Sequence, residues 1–425
     1  MRNDDMALAE QHFERVLLAE PGDAEASRFV ASCLLDHSQT LPAIALLTAA
    51  CKAHPEDPAV RCQLGAAQML AGAFEAAVEN LYRGVKAAPE LFVERLHLAV
   101  ALERLGRPHE ALVAYFGAVN TAQAQGRWIN EATTRPDMVD AVKHAIRYVD
   151  AGRHQLFDAV IEPFRLRHGR AALARVEHCL AIYLGEQPAV LPDARQRPKF
   201  LYFPDIPSQT YYSSDRFPRL ANLEAATDVI REELRAVLAR PQDLVPFQGI
   251  NSTEGTNSYL GSLGASEAAW DALFFYRHGT RHDANCARCP RSVALIDAAP
   301  LVRIHDHAPE TLFSVLRPGT HILPHRGVTN IRLVTHLPLI VPTDCALRVG
   351  GEMHEWKEGR CVTFDDTFEH EAWNRSRQTR VVLILDNWNP DLTEIERIAV
   401  TDLVVAIGHF NRASENPAPP VSISP

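Results

Sequence analysis

The N-terminal part of the chain carries a periodic pattern of small, apolar and turn-forming residues. Pro21, Pro55 and Pro89 lie 34 residues apart, each at the end of an amphipathic helical stretch. The same step relates four alanines and four large apolar residues, which are Ala9, Ala43, Ala77 and Ala111, and Phe13, Leu47, Leu81 and Tyr115. Gly72 and Gly106 stand where two antiparallel helices would turn. A fixed period of this length predicts a solenoid built from helix pairs.

This pattern resembles the tetratricopeptide repeat family, in which small residues let paired helices approach closely and a proline ends the second helix. The resemblance covers about residues 1–122, as the final helix of one repeat followed by three full repeats. Such arrays form concave surfaces that bind peptides or proteins, so the resemblance implies a partner of that kind. Dimerisation of the chain, or bracing of a second domain, is the alternative that the pattern leaves open.

The pattern of apolar and polar residues changes twice after the repeats. Residues 123–195 keep a helical pattern but lose the 34-residue phase, which predicts a helical connector that ends in the proline-rich stretch QPAVLPDARQRPKF. The stretch LANLEAATDVIREELRAVLAR predicts one more helix. From about residue 311, short apolar strands alternate with Gly, Pro and Asp turns, which predicts a β-sandwich or barrel. We expect this second domain to span residues 196–410, with a flexible tail over 411–425.

Composition narrows the choice of partners and compartment. The formal net charge of −10 argues against non-specific binding of nucleic acid, which needs a basic face. No apolar run approaches the roughly 18 residues that span a bilayer. The start, MRNDDMALAEQHFERV, lacks the pattern of a secretory signal, so we expect a cytoplasmic protein.

Among eight cysteines, only Cys286 and Cys289 form a CxxC motif, in NCARCP. Half of a zinc site or a redox pair is one interpretation. Structural zinc sites usually need four ligands, commonly two such pairs, and the sequence has no second CxxC. The pattern therefore favours structural thiols, with metal or disulfide chemistry as the alternative.

Two histidines of the β-rich region are candidate metal ligands. His325 lies just before a predicted strand, and His370 lies 45 residues later in a turn between strands. Several strand segments separate them, an arrangement that suits two ligands brought together across a barrel. Neutral imidazole is a good ligand for ferrous iron. His305 and His307, in RIHDH, form a weaker rival pair.

The stretch PGTHILPHRGVTNIRLVTHL, followed by WKEG, FDDTFEHEAWN and an arginine, resembles the aspartyl/asparaginyl β-hydroxylases. The resemblance covers about residues 198–395. It implies a double-stranded β-helix of the jelly-roll or cupin-like kind that binds Fe(II) and 2-oxoglutarate, preceded in some members by tetratricopeptide repeats. The predicted fold is thus a multidomain chain, an all-α repeat solenoid followed by a mainly β domain. The resemblance makes His325 and His370 the metal ligands.

The carboxylate ligand of most related oxygenases has no counterpart here. These enzymes usually hold iron with two histidines and an acid, often as HxD or HxE. Residues 198–425 contain neither motif, and Gly327 occupies the position of the acid. The aspartyl/asparaginyl hydroxylases are similar in lacking it, so the resemblance implies a metal held by two histidines alone.

The resemblance also implies the residues that bind the co-substrate. Arg380, ten residues after His370, matches the arginine that grips the distal carboxylate of 2-oxoglutarate, a task that suits the two parallel donors of a guanidinium. Ser314 matches a serine at the same end, and His336 a histidine near the chelating carboxylate. Alternatively, Arg380 pairs with a structural acid such as Asp365 or Asp366.

Arg332 matches a family arginine that recognises a carboxylate of the substrate. Because side chains alternate along a strand, Arg332, Val334 and His336 are expected on one face. Val334 departs from the family, since some members carry a second arginine there. Its presence leaves the substrate class and the mode of co-substrate binding open. Glu232 and Glu233, on the helix upstream, are weaker candidates to face the substrate.

The function that this combination predicts is hydroxylation at the β-carbon of an Asp or Asn residue in a peptide or protein, coupled to oxidative decarboxylation of 2-oxoglutarate. Hydroxylation of a lipid or small metabolite is one alternative, because related bacterial barrels act on lipids. A catalytically inactive scaffold is another, with Val334 as a sign of decay, although both histidines and Arg380 are retained.

Overall fold

The computed structural model describes residues 3–247, 260–263 and 268–415. Two compact units divide the chain, one within residues 1–156 and 407–425 and the other within residues 157–406. The helices are α1 (Asn3–Ala19), α2 (Ala24–Asp36), α3 (Thr40–Ala53), α4 (Pro58–Leu70), α5 (Phe74–Ala87), α6 (Phe92–Arg104), α7 (Pro108–Ala124), α8 (Val139–His168), α9 (Ala174–Leu184), α10 (Leu220–Ala225), α11 (Thr227–Leu238), α12 (Asp283–Arg288), α13 (Pro290–Asp297) and α14 (Glu394–Glu415). No described helix combines the length and the apolar character that a membrane crossing requires.

The repeat period predicted from the sequence is confirmed by the helices of the first unit. Helices α2, α4 and α6 begin 34 residues apart, and so do α3, α5 and α7. Helix α1 precedes these three pairs, in agreement with one final helix followed by three full repeats. The side chains that keep the period are the ones that pack, since Ala43, Ala77 and Ala111 are fully buried.

Close helix approach explains the small residues of the repeats. A Cβ on Gly65 would lie 2.5 Å from Cγ of Leu81, so glycine lets α4 and α5 pack tightly. Gly72 lies between α4 and α5, and Gly106 lies between α6 and α7. Their φ angles are +75° and +68°, a conformation that L-residues rarely adopt. Both predicted helix–helix turns are therefore present.

The second unit is dominated by two antiparallel sheets. Their strands are β1 (Tyr211–Tyr212), β2 (Val245–Pro246), β3 (Leu260–Ser262), β4 (Trp270–Arg277), β5 (Thr280–Arg281), β6 (Thr311–Leu316), β7 (Thr320–His325), β8 (Arg332–Ile340), β9 (Cys345–Val349), β10 (Glu352–His354), β11 (Val362–Phe364), β12 (His370–Asn374) and β13 (Arg380–Trp388). The larger sheet has the order β1-β11-β8-β13-β6-β4-β2, with β5 paired to β4, and the smaller sheet has the order β10-β9-β12-β7-β3. The described residues thus confirm a helical-repeat region followed by a mainly β domain.

Two apolar layers hold the larger sheet in place. One layer lies between the two sheets and joins Val334 and Val382 of the larger sheet to Ile322 and Leu347 of the smaller one. On the opposite face, helices α10, α11 and α13 pack against side chains such as Phe313. Strand β13 lies between these layers and is buried over almost its whole length, which explains its continuous apolar run RVVLILDNW.

Strands begin well before residue 311, where the sequence was expected to turn to β structure. The eight residues of β4 pair with β6 inside the larger sheet, upstream of the expected start. Because both faces of β4 are covered, WDALFFYR shows an apolar run in place of the alternation that marks a half-exposed strand. The helix expected over LANLEAATDVIREELRAVLAR is interrupted at Ala226, which separates α10 from α11.

The helices on either side of the β domain differ in part from the predicted domain boundaries. Helix α14 continues to Glu415, so residues 411–415, expected in a flexible tail, are helical. Residues 416–425 lie outside the described residues. Helices α8 and α9 occupy most of the predicted connector, and the division into compact units falls within α8, after Leu156.

Candidate active site

The inward faces of the two sheets enclose a cavity of about 300 Å³. Its lining includes Val334 and the six predicted site residues, which are Ser314, His325, Arg332, His336, His370 and Arg380. Alternation along β8 brings Arg332, Val334 and His336 to one face, as expected from the sequence. All six predicted site residues therefore line one cavity, together with Val334.

The two histidines expected to bind metal are neighbours across the smaller sheet. His325 is the last residue of β7 and His370 is the first residue of β12. The sequence analysis had predicted both histidines just outside strands. They are register partners, and their ring centroids lie 4.1 Å apart. Hydrogen bonds to backbone carbonyls fix both rings, from Nδ1 of His325 to Leu323 at 2.8 Å and from Nδ1 of His370 to Phe368 at 3.1 Å.

Burial keeps both imidazoles uncharged. It lowers the pKa of His370 to about 3, with a further contribution from the nearby His325. Burial likewise lowers the pKa of His325. Two neutral imidazoles whose Nδ1 atoms are bound to carbonyls present Nε2 as the ligand atom, which is the common arrangement in metal sites.

Arg380 is a buried cation without a carboxylate partner among the described residues. It is 1% exposed, and its guanidinium lies 4.8 Å from the ring centroid of Trp356. Its Nη1 donates to Oγ of Ser314 at 3.3 Å, while its Nε has no hydrogen-bond partner in this part of the chain. Burial lowers the pKa of Arg380 to about 10, which still leaves it charged at neutral pH. The alternative pairing with Asp365 or Asp366 does not occur.

Ser314 is held by a residue that the sequence analysis missed. The indole Nε1 of Trp270 donates to Oγ of Ser314 at 2.9 Å, and Phe247 stacks on the same indole at 3.7 Å. Trp270 lies on β4, upstream of the region where strands were expected. Trp356, which stacks on Arg380, lies within the WKEG segment and could have been proposed from that motif.

His336 is the third histidine that lines the cavity, and it is buried. Its ring lies 5.1 Å from that of Phe364, and its Nδ1 has no hydrogen-bond partner among the described residues. Burial and the neighbouring Arg380 lower its pKa well below the usual value, so it is neutral. A neutral imidazole with an unmet polar atom, beside a buried cation, points to a polar ligand in this end of the cavity.

Arg332 is engaged by two carboxylates within the cavity. Its Nη1 lies 3.1 Å from Oδ2 of Asp366 and 3.0 Å from Oδ1 of Asp386. Although burial opposes it, the two acids raise the pKa of the guanidinium. Burial raises the pKa of Asp386 to about 6 against the opposing effect of Arg332, so the carboxyl remains largely ionised at neutral pH. Asp386 was not singled out in the sequence, because its segment RVVLILDNW predicted only a strand.

The neighbouring acids Asp365 and Asp366 have different surroundings. Asp365 accepts hydrogen bonds from Thr367 and Gln196 and shapes the turn before β12, which fits the structural role expected for it. Asp366 faces the cavity, and its Oδ1 has no partner among the described residues. Its backbone carbonyl accepts the N–H of Gly327 at 2.6 Å, and a Cβ on Gly327 would lie 2.2 Å or less from the Asp366 carboxylate. Glycine at 327 therefore makes room for Asp366.

The weaker candidates lie outside this cavity. His305 is exposed and contacts Asp306 at 3.2 Å, and His307 stacks on Phe200. On the helical side of the larger sheet, Glu233 accepts hydrogen bonds from the backbone and side chain of Ser292 at the start of α13, and Glu232 contacts Arg291. None of these four histidines and glutamates lines the cavity.

The CxxC motif is part of the apolar core. Cys286 and Cys289 are buried free thiols within the layer that packs against the larger sheet. Burial raises the pKa of Cys289 to about 12 and also raises that of Cys286, so neither is a thiolate at neutral pH. These surroundings fit structural thiols, because redox and metal chemistry both require thiolates.

Comparison with known proteins agrees with this geometry. A sequence model described as aspartyl/asparaginyl beta-hydroxylase matches residues 224–390. Aspartate beta-hydroxylase domain-containing protein 2 of Mus musculus is 32% identical, over 53% of this chain and 62% of its own length. The ornithine lipid ester-linked acyl 2-hydroxylase of Rhizobium tropici is 35% identical, over 42% of this chain and 60% of its own. Human aspartyl/asparaginyl beta-hydroxylase is 30% identical over 45% of this chain and 23% of its own.

These relatives share part of their length with this chain, no more than 62% among the three. The matching region contains strands β6 to β13, which belong to both sheets and include strands that line the cavity. The sequence motifs lie in that region, and so do the residues that line the cavity, apart from Lys199. The family model thus shows that residues 224–390 of this chain are similar to the aspartyl/asparaginyl β-hydroxylases.

Proposed function

We propose that the β domain is an oxygenase that uses Fe(II) and 2-oxoglutarate to hydroxylate the β-carbon of an Asp or Asn residue in a peptide or protein. The observation that carries the proposal is the set of side chains that line one cavity. Two adjacent neutral imidazoles share it with a buried arginine that lacks a carboxylate partner among the described residues. The match of residues 224–390 to the family model supports hydroxylation as the reaction class.

The donor set fits ferrous iron. His325 and His370 would bind the metal through Nε2, because carbonyl oxygens hold their Nδ1 atoms. Imidazole nitrogen suits iron(II), and ligand histidines usually carry such a second hydrogen bond. Gly327 supplies no side chain, so we propose that the protein contributes only these two ligands. Oδ2 of Asp366 contacts Arg332.

The other end of the cavity fits a dianion. Arg380 and Ser314 would bind the distal carboxylate of 2-oxoglutarate, which would meet the unfilled Nε of Arg380. Trp270 holds the Ser314 hydroxyl, and Trp356 covers the face of the guanidinium, so both orient donors in advance of binding. His336 would hydrogen-bond with the other carboxylate of 2-oxoglutarate. When bound, iron and 2-oxoglutarate would supply the activation of dioxygen that replaces a C–H bond with C–OH.

A second substrate class has specific support. Apolar side chains also line the cavity, with Leu312, Val334 and Ile384 among them. The relative from Rhizobium tropici is named for hydroxylation of a lipid acyl chain. Hydroxylation of a lipid by this chain would use the same metal and co-substrate residues. The repeats would then bind a protein partner independently of the substrate, and in the peptide case they would bind the substrate protein.

Product analysis with labelled dioxygen separates the two classes. The full chain is incubated with Fe(II), 2-oxoglutarate and ¹⁸O₂ together with peptides, cell proteins or extracted lipids, and succinate and label are measured by mass spectrometry. We expect succinate that depends on iron, and label on an Asp or Asn residue. Label found only in a lipid would replace the peptide substrate while retaining the oxygenase. Absence of iron-dependent succinate with every substrate pool would contradict the proposed function.

A further inference from the structure

The neighbourhood of Arg332 is acidic. Both Asp366 and Asp386 contact its Nη1, and Glu310 lines the same end of the cavity. The carboxylates of Asp366 and Asp386 are almost completely buried, with side chains 8% and 3% exposed. Two close carboxylates therefore face a single guanidinium before any substrate is present.

Asp386 is a fixed part of the cavity wall. It lies on β13, opposite Val334 of β8, and its Oδ2 accepts the backbone N–H of Glu310 at 2.9 Å. With one oxygen on a backbone amide and the other on Arg332, the carboxylate is anchored at both ends. A substrate carboxylate cannot take its place without breaking a buried charge-assisted hydrogen bond, which is among the stronger hydrogen bonds in proteins.

A third anion at this position is electrostatically unfavourable. It would bring three carboxylates around one guanidinium in a cavity where charges interact far more strongly than in water. Val334 adds no compensating cation on the neighbouring position of β8. Like charges placed side by side oppose binding at an interface. An uncharged group, such as a carboxamide, meets no such penalty and can still hydrogen-bond with the acids.

We infer that Asp386 occupies the position of a substrate carboxylate at Arg332, so that the substrate group bound there is uncharged. Asp386 is in this view a specificity-determining residue, and an asparagine side chain is accepted over an aspartate. The inference rests on the proposed function, because it concerns the substrate side of the same cavity. It assigns a purpose to the Asp386–Arg332 ion pair that neither metal nor co-substrate binding requires.

The test measures binding selectivity. Full-length protein is loaded with Fe(II) and 2-oxoglutarate without oxygen, and calorimetry gives the affinity of two capped peptides, Gly-Gly-Asn-Gly-Gly and Gly-Gly-Asp-Gly-Gly. The affinity of the protein loaded with Fe(II) alone for 2-oxoglutarate is measured first, so that failure of the proposed function is recognised on its own. Asp386→Asn removes one negative charge while retaining an oxygen for the Glu310 amide. The matched control is Asp271→Asn, on β4, which loses a contact to Arg317 at 2.8 Å and does not line the cavity.

We expect the wild-type protein to bind the Asn peptide at least about tenfold more tightly than the Asp peptide. Asp386→Asn should improve the affinity for the Asp peptide by about tenfold or more, and Asp271→Asn should change neither affinity. The wild-type comparison needs no variant, so it stands even if Asp386→Asn fails to fold. Equal or tighter binding of the Asp peptide by the wild type overturns the inference. If the wild type binds neither peptide, Asp386→Asn must gain binding of the Asp peptide, and no gain also overturns it.

Discussion

Two arginines in one cavity have opposite surroundings. Arg380 is buried with an indole and a serine hydroxyl beside it and no carboxylate partner among the described residues, whereas Arg332 contacts two carboxylates. Both lie on the inward faces of adjacent strands, β13 and β8. A buried cation without an anion costs free energy unless a ligand completes it, and a paired one is already satisfied. The unpaired arginine therefore marks the anion-binding end of the cavity, and the paired one marks an end that is closed to further anions.

The two arginines can serve these different roles only if His325 and His370 bind the metal. Substituting either histidine should therefore have the largest effect on Fe(II) binding and turnover. His325→Ala and His370→Ala should each abolish stoichiometric Fe(II) binding and turnover, with little change in the thermal transition, because each removes one of two ligands. Metal content after anaerobic loading and circular dichroism on heating check this. His305→Ala is the control, since this exposed histidine belongs to the rival pair outside the cavity. Normal iron binding by both cavity variants would show that the metal site is misassigned.

Arg380→Met should weaken 2-oxoglutarate binding next most strongly. Truncating one partner of a buried ion pair costs about 2–5 kcal/mol, which is roughly 30-fold to several thousandfold in the dissociation constant. Calorimetric titration of the Fe(II)-loaded protein with 2-oxoglutarate measures it. An unchanged dissociation constant would remove Arg380 from the co-substrate site.

The same two arginines should differ in their effect on stability without ligands. Arg332→Met leaves Asp366 and Asp386 as uncompensated buried charges, and it should lower the free energy of unfolding by about 3–5 kcal/mol. Arg380→Met removes a cation that has no carboxylate partner in the described part of the chain, so the free energy of unfolding should stay the same or rise. Urea denaturation of the two variants at equal ionic strength compares them directly. Equal destabilisation by both would contradict the distinction between a paired and an unpaired arginine.

The smallest expected effect concerns the residue that positions Ser314. Trp270→Phe keeps the aromatic stack on Phe247 but removes the indole N–H that donates to Ser314. We expect the dissociation constant of 2-oxoglutarate to rise by about fivefold, which corresponds to one hydrogen bond of about 1 kcal/mol. Trp373→Phe, on β12 and outside the cavity lining, is the matched control and should have no effect. A shift of the same size in both variants would indicate a general structural effect.

Periodic features of the fold were predictable from the sequence, because they repeat. The 34-residue phase located all the helix pairs between α2 and α7, since each repeat must bury the same small positions. Strand β4 was missed, because a strand covered on both faces has no alternation to detect. The break between α10 and α11 was also missed, since Ala226, where it occurs, is an ordinary helix-forming residue.

The candidate site was predictable where a motif carries it. The histidines, Arg380, Ser314, His336 and Arg332 all line the cavity, and each was singled out by matching the family pattern. Asp386 and Trp270 were not, because their importance lies in side-chain partners 54 and 44 residues away along the chain. Side-chain contacts across a sheet depend on the tertiary structure. The contacts of Arg332 with Asp366 and Asp386 are therefore visible only in the structure. The roles of these residues, in contrast to their positions, remain predictions.

A crystal structure of the protein soaked without oxygen in Fe(II) and 2-oxoglutarate tests the central claim most directly. We predict metal bound by Nε2 of His325 and His370 with no Asp or Glu oxygen as a ligand. The distal carboxylate of 2-oxoglutarate should lie on Arg380 and Ser314, while Arg332 keeps its contact with Asp386. A metal at any other position, a carboxylate side chain coordinated to it, or 2-oxoglutarate bound to Arg332 would contradict the account.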